Sequence, residues 1–327
     1  MTIYISHQTA LDFWRQAPAN KTLTEGITFI RKAPIKLPAL DSSLNLGTSI
    51  LSLPLHTIVA SNDARRQTKH MFSHVYSMPL PAGSFVRATP DLMVSSPDFC
   101  FQQMANVLSF VESIALGCEF TGSYRLDKWT DPERGFRDDQ PLSSIAKLES
   151  FVAKATGVSG CVKARKALPY IIENSASPME TVIAILLTLP YRYGGFGLPQ
   201  PTLNMDIDAN ARFKTSPQYR FDMCWPQWRL IVEYDSDRYH STSEQMSRDA
   251  IRRNRLTDYG YTVITASRWQ VVHVSELIKL AEQIARQLDR RIQLPVGFPA
   301  KLALILSQLL PSLSEDRYDP GETRFSF

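Results

Sequence analysis

Apolar residues recur at helical spacing in some stretches of the chain and alternate with polar ones in others, and the change of period predicts where the elements lie. In the first 16 residues the spacing predicts a short amphipathic helix with Leu11, Phe13 and Trp14 buried. From about Gly26 to Arg87 the texture becomes short apolar runs (ITFI, TSILSLPLHTIVA, HVYSM, SFVRA) broken by Pro and small polar residues, the pattern of short strands. A long helix is predicted next, with Ser96 as its cap and Pro97 in its first turn. Phe101, Met104, Val107, Leu108, Val111 and Ile114 recur along it as a core-facing stripe. Asp127–Pro141, rich in charge, Pro and Gly, reads as an exposed loop, and helices follow around Ser143–Thr156 and Gly160–Ile172. The N-terminal half is thus an α+β region with no evident chemical site.

The second half is more sharply patterned. Ser177-Pro178-Met179-Glu180 opens an apolar helix running to about Leu189, and a loop with Gly194, Gly195, Gly197 and Pro199 follows. Two strand-like runs, Tyr219–Cys224 and Arg229–Tyr234, flank the turn Trp225-Pro226-Gln227-Trp228. A polar helix around Ser243–Tyr259 ends at Gly260, which suits a left-handed cap. Tyr261–Ala266 alternates as a strand, and a last helix spans about Ser275–Arg291. The fold class is α/β. An N-terminal α+β domain of recognition or regulation (1–174) precedes a mixed-sheet domain (175–295) and a tail (296–327) carrying a short apolar helix.

Composition narrows the class. Apolar residues make up 44% and charged residues 21%, near the globular average, which excludes wholesale disorder. No apolar stretch approaches the ~20 residues of a membrane span, and the N-terminus lacks the basic and apolar regions of a secretory signal. The chain therefore reads as cytoplasmic, with no membrane partner. Four cysteines lie 18, 43 and 63 residues apart, a spacing that offers neither a disulfide framework nor a zinc pattern. The whole chain carries a net charge of +4, and Arg212–Arg291 alone holds 14 Lys and Arg against 10 Asp and Glu. All of the surplus lies in that window, a distribution compatible with a polyanionic partner and equally with a solvated charged face.

Candidate chemistry lies in the hairpin. With the turn centred on Pro226 and Gln227, Asp222 faces Ile231, and Glu233 sits diagonally on the same face at about 7–8 Å. Asp235 points the same way by alternation. Acids crowded on one face repel unless a cation offsets them, and Mg²⁺ (Mn²⁺ as an alternative) is held by one or two carboxylates plus water and phosphate. A solvated acidic edge is the plainer reading of the same spacing. Glu180 has two readings, metal support or the returning side chain of a capping box opened by Ser177. His240 is either a general base or a surface histidine. Arg248, Arg252, Arg253 and Arg255 either bind phosphate oxygens or form a salt-bridged helix face. Trp225 and Trp228 either stack on a base or pack under the turn.

Taken in order, the features are Ser-Pro-x-Glu, Arg-Phe-Asp, Leu-Ile-Val-Glu-Tyr-Asp, Tyr239-His240, Arg248-Asp249-x-x-Arg252-Arg253-Asn254-x-Leu256 and Gly260-Tyr261-x-Val263-Ile264. Over about Ser175–Arg291 this string resembles the PD-(D/E)XK, or restriction-endonuclease-like, superfamily, and within it the proteins related to very-short-patch-repair (Vsr-like) endonucleases. The N-terminal half is similar to regulator-like regions that precede such domains in bacteria, including those akin to abortive-infection antitoxins. The resemblance implies that Asp222 and Glu233 bind metal, with Glu180 in reach directly or through water. It implies Mg²⁺-dependent hydrolysis of DNA phosphodiester bonds, in repair, restriction or phage defence, with a protein partner for the N-terminal domain. Where the superfamily signature has Lys, this chain has Asp235, and where the subfamily has Gly it has Ser236. Those departures point to the alternative, a nuclease fold that binds nucleic acid as an inactive, antitoxin-like regulator.

Overall fold

Two principal sheets organise the chain, one in each of two units, Met1–Glu173 and Asn174–Phe327. The structure is a computed structural model that describes residues 2–17, 27–28, 53–127, 134–208, 218–235, 254 and 256–310. Among the described residues no helix is long and apolar enough to cross a membrane. The four cysteines are buried free thiols.

In the first unit β1 (Ile3–Ile5) leads into α1 (His7–Gln16), and β2 (Ile27–Thr28), β3 (Leu55–Val59), β4 (Met71–Val75), β5 (Phe85–Thr89) and β6 (Leu92–Ser95) complete a six-stranded sheet. Its order is β2-β5-β6-β1-β3-β4, with β1 parallel to β6 and antiparallel to β3. Leu11, Phe13 and Trp14 are buried as the amphipathic spacing predicts, and Trp14 Nε1 donates to the Ser95 carbonyl at 2.8 Å, fastening α1 to β6. Phe85, Met93 and Phe99 centre the core, with Phe99 edge-on to Tyr76 and Phe85. Edge-to-face packing sets the positive rim of one ring against the negative face of the other.

Two expectations for this unit fail on local chemistry. The long predicted helix is two, α2 (Pro97–Val107) and α3 (Phe110–Thr121). Ser109 and Glu112 form a reciprocal capping box, Ser109 N–H donating to Glu112 Oε2 at 2.8 Å, and this starts a new helix where the apolar stripe had suggested continuity. Val107, expected in the core, is 63% exposed at the break. The expected loop Asp127–Pro141 contains β8 (Phe136–Asp138), paired with β7 (Tyr124–Leu126). Helices α4 (Ile145–Lys154) and α5 (Cys161–Ala167) complete the unit.

The second unit begins with α6 (Pro178–Thr188), followed by β9 (Thr202–Asp208), β10 (Gln218–Trp225), β11 (Leu230–Asp235) and β12 (Thr262–Ser267). Its sheet order is β12-β11-β10-β9, antiparallel from β9 to β11, with β12 parallel to β11. A parallel neighbour needs a crossover, and the polar helix expected at Ser243–Tyr259 lies in that stretch. Of it, residues 254 and 256–258 are described, and they are helical. The helix ends as its sequence predicts. Gly260, at φ +77°, lets its own N–H reach Thr257 O and the Tyr261 N–H reach Leu256 O, the paired bonds of a Schellman cap.

Helices α7 (Arg268–Val272), α8 (Val274–Gln287) and α9 (Phe298–Leu309) follow. The short apolar helix expected in the tail is α9, which packs on α8 and α6, its Phe298 ring meeting Tyr191 and Phe196. Strand β9 was not foreseen, although Leu203, Met205 and Ile207 alternate along it.

Gly157 and Gly160 separate two causes of glycine preference. Both have left-handed φ, +81° and +85°. A Cβ at Gly157 would meet nothing, whereas one at Gly160 would collide with the Gln102 backbone carbonyl of α2. Gly157→Ala is expected to cost about 1–2 kcal/mol from conformation alone, and Gly160→Ala clearly more. Urea unfolding of the two variants checks this, and equal losses would remove the steric argument.

Candidate active site at the end of the β10–β11 ladder

The hairpin register differs from the one the sequence suggested. Met223 pairs Val232, Cys224 pairs Ile231 and Trp225 pairs Leu230. The loop is not a two-residue turn on Pro226 and Gln227. A single 3₁₀ turn, Pro226–Trp228, is closed by Arg229 at φ +47°, so four residues separate the strands. The last pair is Met223 with Val232, so the Asp222–Ile231 pairing expected from the sequence does not occur.

The ladder stops there. Beyond Met223↔Val232 the Asp222 carboxylate takes up the next amide, Tyr234 N–H donating to Oδ2 at 2.8 Å. On the other side of β10, pairing to β9 skips Asp222, and opposite it Asn204 has φ +49°. A left-handed residue breaks strand alternation. Phe221 and Cys224 of β10, three positions apart, enter one hydrophobic cluster with Ile231 and Leu256.

Asn204 links this distortion to α6. Its Nδ2 donates to Glu180 Oε2 at 2.6 Å and to the Asn174 carbonyl at 2.8 Å, and its Oδ1 accepts from Arg220 Nε at 2.8 Å. Glu180 is 7% exposed. Its Oε2 also accepts from Ala176 N–H, and its Oε1 accepts from the Ser177 hydroxyl, both at 2.9 Å. Ser177 Oγ in turn accepts the Glu180 N–H at 3.2 Å. The capping reading of Glu180 is thus realised in modified form, with the side chain returning to the Ala176 amide and the Ser177 hydroxyl. Burial and then the Asp222 charge hold its carboxyl above the ordinary 4.5, against hydrogen bonds that favour the anion.

Of the other expected site residues, Glu233 is half-buried and pairs Thr265, and Asp235 is exposed and pairs Ser267 at the end of β12. Trp225 is buried, its Nε1 donating to the Pro199 carbonyl at 2.8 Å, so it packs under the turn. His240, Arg248, Arg252, Arg253 and Arg255 lie outside the described residues. Sequence reasoning missed Asn204 and Arg220. The alternation in β9 would have put Asn204 on a strand beside Asp222, but nothing in sequence spacing signals its left-handed conformation.

Among the described residues no group of three or more His, Cys, Asp or Glu side chains is arranged to hold a metal ion. Both Glu180 oxygens accept hydrogen bonds from the chain, so the donor set to test is Asp222 with Glu233. Their hard oxygens suit Mg²⁺, which is satisfied by one or two protein carboxylates. Burial is the larger cause of the raised Glu180 carboxyl, and the Asp222 charge that adds to it is the field that a divalent cation would relieve.

The chain is similar to two uncharacterized proteins of Mycobacterium tuberculosis, one from each of two strains, each 32% identical over 145 residues. That stretch is 44% of this chain and 49% of each relative, so the match spans about half the length of the curated relatives. No protein-family model matches the chain, and no solved structure matches it significantly.

The raised Glu180 carboxyl makes stability depend on pH. A group whose folded pKa exceeds its unfolded value stabilises the fold below the unfolded pKa, and that contribution is lost as pH rises through the folded value. Glu180→Gln lacks this loss, so its stability relative to the parent should improve steadily as pH rises from 4.5. In an Asp222→Asn background the slope should shrink, because one of its causes is removed. Urea midpoints of the four proteins between pH 4.5 and 7.5 measure it, and parallel curves would contradict the coupling.

Proposed function

We propose that the second unit is a metal-dependent endonuclease that hydrolyses DNA phosphodiester bonds, in repair, restriction or phage defence. The observation that carries this reading is the position of Asp222. It is held by the Tyr234 amide one residue beyond the last pair of the β10–β11 ladder, and its charge adds to burial, the larger cause, in raising the Glu180 carboxyl. The mixed sheet flanked by helices, the basic surplus of Arg212–Arg291 and the resemblance to restriction-endonuclease-like proteins support it. Fold resemblance alone would not, since one fold hosts many activities.

Asp222 and Glu233 would hold Mg²⁺. When bound, the ion supplies an activated water and offsets charge on the phosphate. The Tyr234 N–H fixes the Asp222 carboxylate, so its orientation does not depend on the ion. Asn204 ties Glu180 and Arg220 together behind the pair, which keeps one negative and one positive side chain at set positions beside it. His240 is the proposed base, and Arg248, Arg252, Arg253 and Arg255 the proposed phosphate contacts.

A second reading has its own observation. With Asp235 at the signature lysine position and both Glu180 oxygens engaged within the chain, the fold suits a binding regulator that does not cleave. Cleavage of plasmid and oligonucleotide DNA and of RNA in Mg²⁺, Mn²⁺ or EDTA separates the two. The nuclease reading expects metal-dependent DNA cutting that falls about 100-fold or more in Asp222→Asn and in Glu233→Gln. Asp222→Asn retains an oxygen for Tyr234 N–H, so its loss would not come from unfolding. DNA binding without cutting, equal in parent and variants, would replace the nuclease reading with the regulator.

A further inference from the structure

The first unit contains a cavity of about 210 Å³, room for roughly seven waters at about 30 Å³ each. His7, Ser73, His74, Tyr76 and Gln103 line it, and Arg65 stands among its exposed lining residues. None of the residues lining it is acidic.

Its floor is strained and incompletely satisfied. His7, the first residue of α1, has φ +47°, a conformation that non-glycine residues adopt at a cost. Gln103 of α2 holds it there, Oε1 accepting the His7 N–H at 3.1 Å. The other end of the same amide has no partner within the chain: Gln103 is 4% exposed and its Nε2 meets no acceptor among the described residues. A buried amide donor left without an acceptor is costly, and it points to an acceptor that arrives from outside the chain.

The histidines set the polarity of the walls. His7 stacks on His74, with ring centroids 3.5 Å apart and 16° between planes, and His56 Nδ1 hydrogen-bonds His74 Nε2 at 2.8 Å. Burial, with His56 and Arg65 nearby, lowers His74 to about 4, and burial with His74 and His56 lowers His7 well below 6.5. All three rings are neutral at physiological pH, Asp12 near His56 notwithstanding. They do not form a metal site. Two nitrogens on one tetrahedral zinc at ~2.05 Å stand about 3.3 Å apart, wider than this hydrogen bond, and no such group occurs among the described residues.

We propose that this cavity binds a small oxyanion, the phosphate or carboxylate group of a small molecule, through Gln103 Nε2, the Ser73 hydroxyl and the Arg65 guanidinium. Donors without a competing carboxylate select for negative charge, and guanidinium forks suit both oxyanions. The site is independent of the nuclease reading of the other unit.

The test uses the full chain and the histidine ring signals in ¹H–¹³C NMR, titrated separately with inorganic phosphate and with acetate, against chloride at equal ionic strength. A saturable shift of the His74 and His7 signals is expected with at least one probe, together with a rise of the His74 pKa by half a unit or more. Saturation by phosphate alone indicates a phosphate ester as the ligand class, and by acetate alone a carboxylate. Arg65→Gln, at an exposed position, should weaken binding about tenfold. Gln103→Glu keeps the Oε1 acceptor for His7 but puts a negative charge in place of the donor, and should abolish binding. A response that is linear and shared with chloride, or equal affinity in parent and Arg65→Gln, would overturn the proposal.

Discussion

One hydrogen bond sets the geometry on which the chemistry proposed for the second unit depends, that of the Tyr234 amide to the Asp222 carboxylate. It falls where the β10–β11 ladder ends and where β9 departs from regular pairing at Asn204. An ordinary strand would spend that amide on a backbone carbonyl and turn its side chains alternately to either face. Here the amide is spent on a side chain, and the same irregularity gathers Glu180, Asn204 and Arg220 beside it. Local departures from regular structure of this kind are tolerated where neighbouring contacts over-determine them. The Asn204 amide supplies those contacts, joining β9 to both α6 and β10.

The electrostatics of the cluster follow from burial. Glu180 has its hydrogen-bond needs met, yet its carboxyl is still raised, because desolvation and the Asp222 charge outweigh the hydrogen bonds. Structural acids are ordinarily stabilised as anions by such a set of donors. An arrangement that retains unfavourable charge at one spot is characteristic of functional sites more than of scaffolding, although ion networks also produce it. In the first unit the corresponding feature is the Gln103 amide, half used by the strained His7 backbone and half unpaired.

Much of the fold was legible because patterning and capping agree. Helix α6, the hairpin strands, the Gly260 cap and β12 follow from periodicity and from residues whose conformational demands are local. The misses have local causes as well. The capping box at Ser109 outweighed an apolar stripe that ran through it, and β8 is a strand of three residues inside a charged stretch. In the candidate site, spacing placed Asp222 and Glu233 on the two strands of one hairpin, but the register depended on Arg229 accepting a left-handed conformation, which sequence does not advertise. Asn204 was missed because its role arises only when β9, β10 and α6 meet.

In the function proposed for the second unit, Asp222 and Glu233 together would hold one divalent cation, with Glu180 supporting from within its own cap. Mn²⁺ binding followed by electron paramagnetic resonance tests this without reference to any substrate. One site per chain is predicted, weakened strongly by either Asp222→Asn or Glu233→Gln and retained in Glu180→Gln. Mn²⁺ bound equally by the parent and by both of the first two variants, or not bound by the parent at all, would contradict the account.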